Sequence, residues 1–150
     1  MHVRIDHFVW ISLIVSCMGA CTGTRPTDLG VMDGKLKPCP DKPNCVVSQS
    51  PSQDHNIEPI GTDLAPEASM ARIEAIVKEL PRTHVVEKSP QYLRVEFTSL
   101  IFRFVDDVEF YQAPGATAVQ VRSASRLGHS DMGANRDRIE DLRSRFSAKL

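Results

Sequence analysis

The sequence has little of what marks several large classes of protein. Aromatic residues make up only 6% of its 150 residues, and no segment interleaves them with basic residues, as a surface for single-stranded nucleic acid would. The 18 Lys and Arg nearly balance the 19 Asp and Glu, so the formal net charge of -1 gives no general attraction to nucleic acid or to an anionic membrane. We therefore predict no nucleic-acid partner, and any electrostatic function must be local.

The N terminus lacks an apolar segment long enough to span a membrane. Its apolar run, residues 8–15, has about eight residues, whereas a spanning helix needs about 20. Arg4 precedes this run and small residues follow it, which is the layout of a signal peptide. The sequence therefore predicts an export signal.

The end of this signal resembles a bacterial lipobox. The small residues at 19–20 precede Cys21, the position that lipoproteins acylate, although Met18 stands where Leu is more usual. We predict a lipoprotein signal peptide over residues 1–20 and lipidation of Cys21, with Cys17 as the second choice. An ordinary secretory leader with incidental thiols is the alternative.

The resemblance to lipoproteins implies an anchor and a location. Several acyl chains hold a protein at a membrane for long periods, so the lipid bilayer is a predicted partner. Thr22 rather than Asp follows Cys21, which in lipoproteins points to the periplasmic face of the outer membrane. We therefore expect a lipid-anchored protein of the bacterial cell envelope.

Residues 21–36 are rich in turn formers and have no helical or strand period, which predicts a flexible tether before a single α+β domain over residues 37–150.

Two further cysteines, Cys39 and Cys45, enclose a short loop with two prolines. In an exported protein, two nearby cysteines are more often paired than free. Their spacing does not fit a redox Cys-x-x-Cys motif, and no His lies beside them for a zinc site. We predict a structural disulfide that stabilises the fold by about 2 kcal/mol.

The remaining pattern predicts an α+β fold. Residues 63–80 show a helix start and apolar residues at steps of three and four, and Pro81 then ends the helix. Alternating segments follow, and a second helix carries Ile139, Leu142 and Phe146 on one face. Because the connections are too short for parallel crossovers, we predict a four-stranded antiparallel sheet with two helices packed on one face. The predicted strands lie near Val85–Val86, near 92–98, over 100–111 with Leu100, Phe102, Phe104, Val108 and Phe110 inward, and around Val119 and Val121.

The last two strands set a predicted register. If Phe110 pairs with Val119, two polar pairs come into register. These are Asp107 with Arg122 on the outer face and Asp106 with Ser123 on the inner face.

Four motifs resemble a known family. They are Pro38-Cys39-Pro40, Pro43-Asn44-Cys45-Val46, Asp107-Val108-Glu109-Phe110, and the block from Val121-Arg122-Ser123-Ala124-Ser125-Arg126 through Ile139. From about Leu36 to the C terminus, the chain resembles domain of unknown function number 1499, and it departs from that family in having Val47 where Ser is more frequent. The resemblance implies bacterial envelope or plastid-type settings and supplies no established reaction.

The junction between the last strand and the last helix, residues 121–140, concentrates polar side chains. Strand ends and helix starts present oriented donors, so this junction is a candidate site for a small anionic ligand. The alternative is an internal ionic cluster, in which Asp131, Asp137, Asp106 and Glu140 already pair with the arginines. The candidate ligand-binding residues are Arg122, Ser123, Ser125, Arg126, His129, Asp131, Asn135 and Arg136.

Catalysis at this junction has weaker support. Ser125, His129 and Asp131 are too close in sequence to be assumed a triad, and no Gly-x-Ser-x-Gly motif frames either serine. The acids of the third strand alternate between faces, so they cannot all converge on a metal ion. We predict no catalytic residue, metal or cofactor, and a hydrolase or metal-dependent enzyme using residues 122–136 is the alternative.

A partner protein is the other predicted ligand. Ile101, Val105 and Tyr111 would lie beside charged residues on an exposed outer face of the sheet, a mixed surface that partners use. A covering layer formed by residues 46–60 is the alternative. The sequence therefore predicts an envelope lipoprotein that binds a small anionic ligand or a partner protein.

Overall fold

A computed structural model of the protein describes residues 22–148. The predicted signal peptide and the lipidation candidates Cys17 and Cys21 lie outside the described residues. No helix within residues 22–148 is both long and apolar enough to cross a bilayer. The elements of this part of the chain are β1 (Val31–Met32), β2 (Lys35–Leu36), β3 (Cys45–Val47), β4 (Ile60–Gly61), α1 (Pro66–Lys78), β5 (Thr83–Lys88), β6 (Tyr92–Thr98), β7 (Val105–Tyr111), β8 (Ala118–Ser125) and α2 (Ala134–Ala148).

The described strands form a six-stranded antiparallel sheet and a separate two-stranded hairpin, β1–β2. In the larger sheet the order is β3-β8-β7-β6-β5, and β4 shares the free edge of β8 with β3. The class α+β is therefore right, whereas the predicted four-stranded sheet is wrong.

The two additional strands are too short to produce an alternating pattern. β3 has three residues and β4 has two. Both pair with β8, which is eight residues long and would otherwise leave backbone donors and acceptors unpaired along one edge. Val46 and Ile60 turn into the core from these strands, so their burial follows from this pairing.

Both helices pack on one face of the sheet, which we call the inner face. α1 begins at Pro66, a residue that suits the first helical turn, and α2 begins at Ala134. Their apolar residues, including the predicted helix faces, meet the inward residues of the strands. The shared core contains Met70, Ile73, Ile76, Val77, Ile139, Leu142 and Phe146 from the helices and Leu93, Val95, Val108, Phe110, Val119 and Val121 from the sheet.

The register between β7 and β8 differs from the predicted one by two residues. Phe110 pairs with Val121 rather than Val119, so Asp107 lies opposite Ala124 and Asp106 lies opposite Ser125. Because a shift of two preserves the face of each side chain, the predicted inward and outward positions in this hairpin survive while the predicted polar pairs do not.

The third predicted strand also starts too early. β7 begins at Val105, and residues 99–104 form a loop closed by the hydrogen bond from the Ser99 N–H to the Phe104 carbonyl (2.8 Å). Arg103 has a φ of 56°, which breaks the extended conformation. The inward residues predicted in this stretch are instead exposed to solvent: Leu100, Phe102 and Phe104.

The opposite, outer face of the sheet is covered by residues 25–39, which we call the strap. Leu36 of the strap is buried with Val47 and Tyr92 on this face, and Tyr111 packs beside them. The predicted disulfide is confirmed, and it links Cys39 at the end of the strap to β3. An exposed outer face was therefore a wrong prediction, and the strap, rather than residues 46–60, covers it. From Arg25 onward, the stretch predicted to be a tether contacts the sheet.

Candidate functional site

The junction residues are divided between the two faces of the sheet. Side chains alternate along a strand, so Arg122 of β8, and Arg126 just beyond it, point to the outer face, whereas Ser123 and Ser125 point to the inner face. The result is two separate polar clusters, and neither contains all of the predicted site residues.

The outer cluster is centred on Arg126. Its Nε donates to Asp107 Oδ2 (2.7 Å), its Nη2 donates to Asp107 Oδ1 (3.0 Å), and the same guanidinium also binds Glu96. Asp107 accepts in addition from Arg94 Nη2 (2.8 Å). The strap completes the cluster, because Arg25 Nε and Nη2 reach the two oxygens of Glu96 at 2.6 and 3.0 Å.

Glu109 is the second anion buried under the strap. Its carboxylate accepts from Arg122 Nη1 (3.2 Å), from the Tyr92 hydroxyl (2.9 Å) and from the backbone N–H of Gly30 in the strap (2.8 Å). Burial raises the pKa of the Tyr92 hydroxyl, and the charge of Glu109 raises this pKa further. Arg122 is thus held by a carboxylate of the protein itself.

Glu96 makes the outer cluster sensitive to acid. Burial raises the pKa of its carboxyl group, but hydrogen bonds from Arg25 and Arg126 outweigh this effect and lower the pKa from 4.5 to about 2. A carboxylate with a lowered pKa in the folded state contributes stability above its unfolded pKa, and this stability is lost as pH falls through the folded pKa.

We therefore expect protonation of Glu96 to lower the free energy of unfolding by about 3 kcal/mol, mostly between pH 4.5 and pH 2. Each unit of pKa difference corresponds to about 1.4 kcal/mol. Urea unfolding at a series of pH values measures this loss. Glu96→Gln should flatten the profile in that range, whereas Glu140→Gln, at a half-exposed carboxylate, should leave it unchanged. Identical profiles for Glu96→Gln and the unmodified protein would contradict the assignment.

Asn135 is the centre of the inner cluster. Its Nδ2 faces three acceptors, the Asn44 carbonyl (3.0 Å), Ser125 Oγ (3.0 Å) and Asp131 Oδ2 (2.7 Å). Its Oδ1 accepts from Ser123 Oγ (2.5 Å) and from Arg138 Nη1 (2.7 Å). This fully buried amide therefore joins the entrance to β3, the end of β8 and the first turn of α2.

The remaining residues of the inner cluster hold the start of α2. Asp131 accepts from the backbone N–H groups of Gly133 (3.1 Å) and Asn135 (2.8 Å), which have no partner within the helix. Arg138 pairs with Asp106 (2.5 Å) and lies over the ring of Phe97. Asp131, Arg138 and Asp106 thus each have a structural partner.

Two predicted site residues lie away from both clusters. Arg136 donates to the carbonyls of Asp54 (3.2 Å) and Asn56 (2.8 Å), and it thereby holds the loop before β4. His129 is exposed, and no hydrogen bond among residues 22–148 joins it to Ser125 or Asp131. No group of three or more His, Cys, Asp or Glu within these residues is placed to hold a metal ion.

The sequence did not reveal the principal partners of the junction arginines. Arg94 and Glu96 alternate with apolar residues of β6, a pattern that predicts a solvent-facing position. They are buried because the strap, whose Arg25 lies 71 residues away from Glu96, covers them. The alternation correctly predicted that both side chains point to the outer face, but no local signal indicated that the strap covers this face.

A groove lies beside the β1–β2 hairpin, with a cavity volume of about 1250 Å³. Gln49 fixes the hairpin to the segment after β3, because its Oε1 accepts from the Leu36 N–H (2.9 Å) and its Nε2 donates to the Gly34 carbonyl (3.1 Å). His55 also lines the groove, and its Nδ1 donates to the Cys45 carbonyl (3.0 Å). The lining includes Val31, Met32, Leu36, Val47, Pro38 and Pro51.

Comparison with known proteins gives a family but no activity. No curated protein matches the chain. The model of a family described as a protein of unknown function (DUF1499) matches residues 35–146, a range that contains both polar clusters except Arg25. Since this range is well over half of the chain, the protein belongs to the DUF1499 family.

Proposed function

We propose that this protein is a lipid-anchored lipoprotein of the bacterial cell envelope whose domain binds a partner protein in the groove beside the β1–β2 hairpin. The observation that carries the proposal is a contrast between two sites. The guanidinium group of Arg126 is occupied by carboxylates of the protein and Arg122 Nη1 donates to Glu109, whereas the groove is open and has a largely apolar lining.

The occupied arginines disfavour a small anion at the junction. An anion at Arg126 would have to displace Asp107 and Glu96, which are buried and have few other partners. Removing one member of a buried ion pair leaves an uncompensated charge, which is strongly unfavourable. Of the two predicted ligand classes, the partner protein therefore has the better support.

The shape of the groove also suits a polypeptide better than a small molecule. Small-molecule pockets usually enclose about 300–1,000 Å³ and bury most of the ligand, whereas this groove is larger and open. Met32 on the hairpin is 77% exposed at its rim, and exposed apolar residues next to polar ones are typical of protein interfaces.

A hydrolase or metal-dependent enzyme at residues 122–136 remains the alternative function. A hydrolase needs a nucleophile, a base and an orienting group joined in series by hydrogen bonds. Asn135, which is neither acid nor base, occupies the position between Ser125 and Asp131. The geometry therefore favours binding.

Site-specific photo-crosslinking tests the groove. A photoreactive amino acid in place of Met32, in full-length protein produced in bacteria, is expected to give one discrete adduct with an envelope protein. The same residue in place of Met132, which is 98% exposed but lies before α2, is the matched control and should not give this adduct. Equal adducts at both positions, or none at Met32, would contradict a partner in the groove.

A further inference from the structure

The loop between β6 and β7 exposes an unusual concentration of apolar surface. Leu100, Ile101, Phe102 and Phe104 are 68%, 78%, 66% and 40% exposed, and the two phenylalanine rings stack at a centroid distance of 5.7 Å. Single exposed apolar residues are ordinary, but four within six positions form a patch that needs an occupant. We call residues 99–104 the apolar loop.

The apolar loop has a fixed shape. Besides the bond from the Ser99 N–H, the Phe104 N–H donates to Ser99 Oγ (2.9 Å). At its base, the Thr98 N–H donates to the Arg82 carbonyl (3.0 Å), and Arg82 Nε donates to the Thr98 carbonyl (3.1 Å). These bonds satisfy backbone groups at the ends of the loop, so the apolar side chains project outward from a closed turn.

The N-terminal chain enters the domain beside this loop. A methyl group added at Gly23 would lie 3.0 Å from Arg126 Cβ and 3.2 Å from Leu127 Cγ, so Gly23 is packed against both residues. The Arg126 N–H donates to the Val105 carbonyl (3.1 Å), immediately after the loop. Cys21 precedes Gly23 by two residues, which is at most about 7 Å of extended chain.

We propose that the apolar loop inserts into the surface of the bilayer to which the protein is anchored. This inference rests on the proposed acylation of Cys21, because an acyl chain there brings this end of the sheet to the membrane. Aromatic and aliphatic side chains then enter the boundary between headgroups and acyl chains.

The charges around the apolar loop suit an anionic lipid surface. Arg103 within the loop and Arg82 at its base are both exposed, and long cationic side chains can reach phosphate groups while their stems lie in apolar surroundings. Leu36, which lines the groove, packs with Tyr92, which lies at the other end of β6 from the apolar loop. Six residue steps of a strand separate the two ends, which is about 20 Å.

Quenching by brominated lipids tests the insertion. We would use the full chain with Trp10→Phe, so that any precursor that retains its signal peptide adds no signal and only the introduced tryptophan reports. The protein is reconstituted in phosphatidylethanolamine and phosphatidylglycerol vesicles with brominated acyl chains. Phe102→Trp is expected to lose about half of its fluorescence relative to vesicles without bromine, because its side chain lies near the acyl chains. Met32→Trp, at a residue of the groove that is somewhat more exposed than Phe102, is the matched control and should keep its fluorescence.

The possible results distinguish insertion of the apolar loop from anchoring by the acylated Cys21. A Phe102→Trp protein that floats with vesicles and is acylated at Cys21, yet is not quenched, would overturn the loop insertion and leave the anchor intact. Quenching in a Cys21→Ala variant would support insertion of the apolar loop and overturn the dependence of this insertion on acylation of Cys21. Failure of the acylated chain to float with vesicles would overturn both. A concentration-dependent spectral shift without quenching would instead assign the loop to a second copy of the chain.

Discussion

Arg126→Ala is expected to lower the free energy of unfolding by about 3 kcal/mol, a large part of the 5–15 kcal/mol that stabilises a typical domain. Arg126 is the only described residue that binds both Asp107 and Glu96. Without it, two buried carboxylates keep one arginine each, Arg94 and Arg25, and their remaining charge is no longer compensated. Urea denaturation of both proteins at neutral pH measures the difference.

Arg145→Ala is the matched control for this experiment. Arg145 also pairs with a carboxylate, Asp141, but both side chains are about half exposed. Such surface pairs contribute about 0.5 kcal/mol or less, so the control should stay close to the unmodified protein. If Arg126→Ala were as stable as the control, its guanidinium would be available to a ligand, and the anionic-ligand hypothesis at the junction would be restored.

The single substitution Asn135→Asp is expected to lower the free energy of unfolding by a similar amount, about 3 kcal/mol, although the side chain keeps its shape. A carboxylate cannot donate, so the Asn44 carbonyl and Ser125 Oγ lose their donor. The substitution also brings a second negative charge next to Asp131, whose Oδ2 lies 2.7 Å from the present amide nitrogen. Thermal unfolding, checked by urea titration, measures the effect.

Asp137→Asn is the control for the second substitution. Asp137 lies in the same first turn of α2 but is exposed, so within residues 22–148 the interaction at stake is the attraction of its charge to the helix N terminus. That attraction amounts to about 0.3–1 kcal/mol. Equal losses for Asn135→Asp and Asp137→Asn would show that the amide network does not hold the junction together.

The parts of the fold that the sequence predicted are those with a local period. The apolar faces of α1 and α2 and the alternation of β6 and β8 are repeated several times within one element, so each could be read from that element alone. β3 and β4 are too short for any repeat. The register of β7 on β8 depended on the turn between them, and a shift by two residues changes the partners without changing the faces.

The partners of single site residues could not be predicted from a local pattern either. Of the four acids predicted to neutralise the junction arginines, only Asp106 binds an arginine of the junction, and the pair joins β7 to Arg138 of α2. Glu140 pairs with Arg143 along its own helix, and Asp131 holds backbone N–H groups. The strongest acceptors belong to β6 and β7, and no local pattern specifies which acid of a neighbouring strand a long arginine side chain reaches.

The strap imposes an order on folding. It is synthesised first, yet its contacts are made with residues far along the chain: Arg25 with Glu96, 71 residues later, and Gly30 with Glu109, 79 residues later. Because such distant contacts form only after the intervening elements have assembled, the earliest part of the domain is also among the last to dock. A chain truncated before β7 keeps Glu96 but lacks Glu109 and the strands β7 and β8, so the strap cannot complete its contacts and stays accessible to proteases.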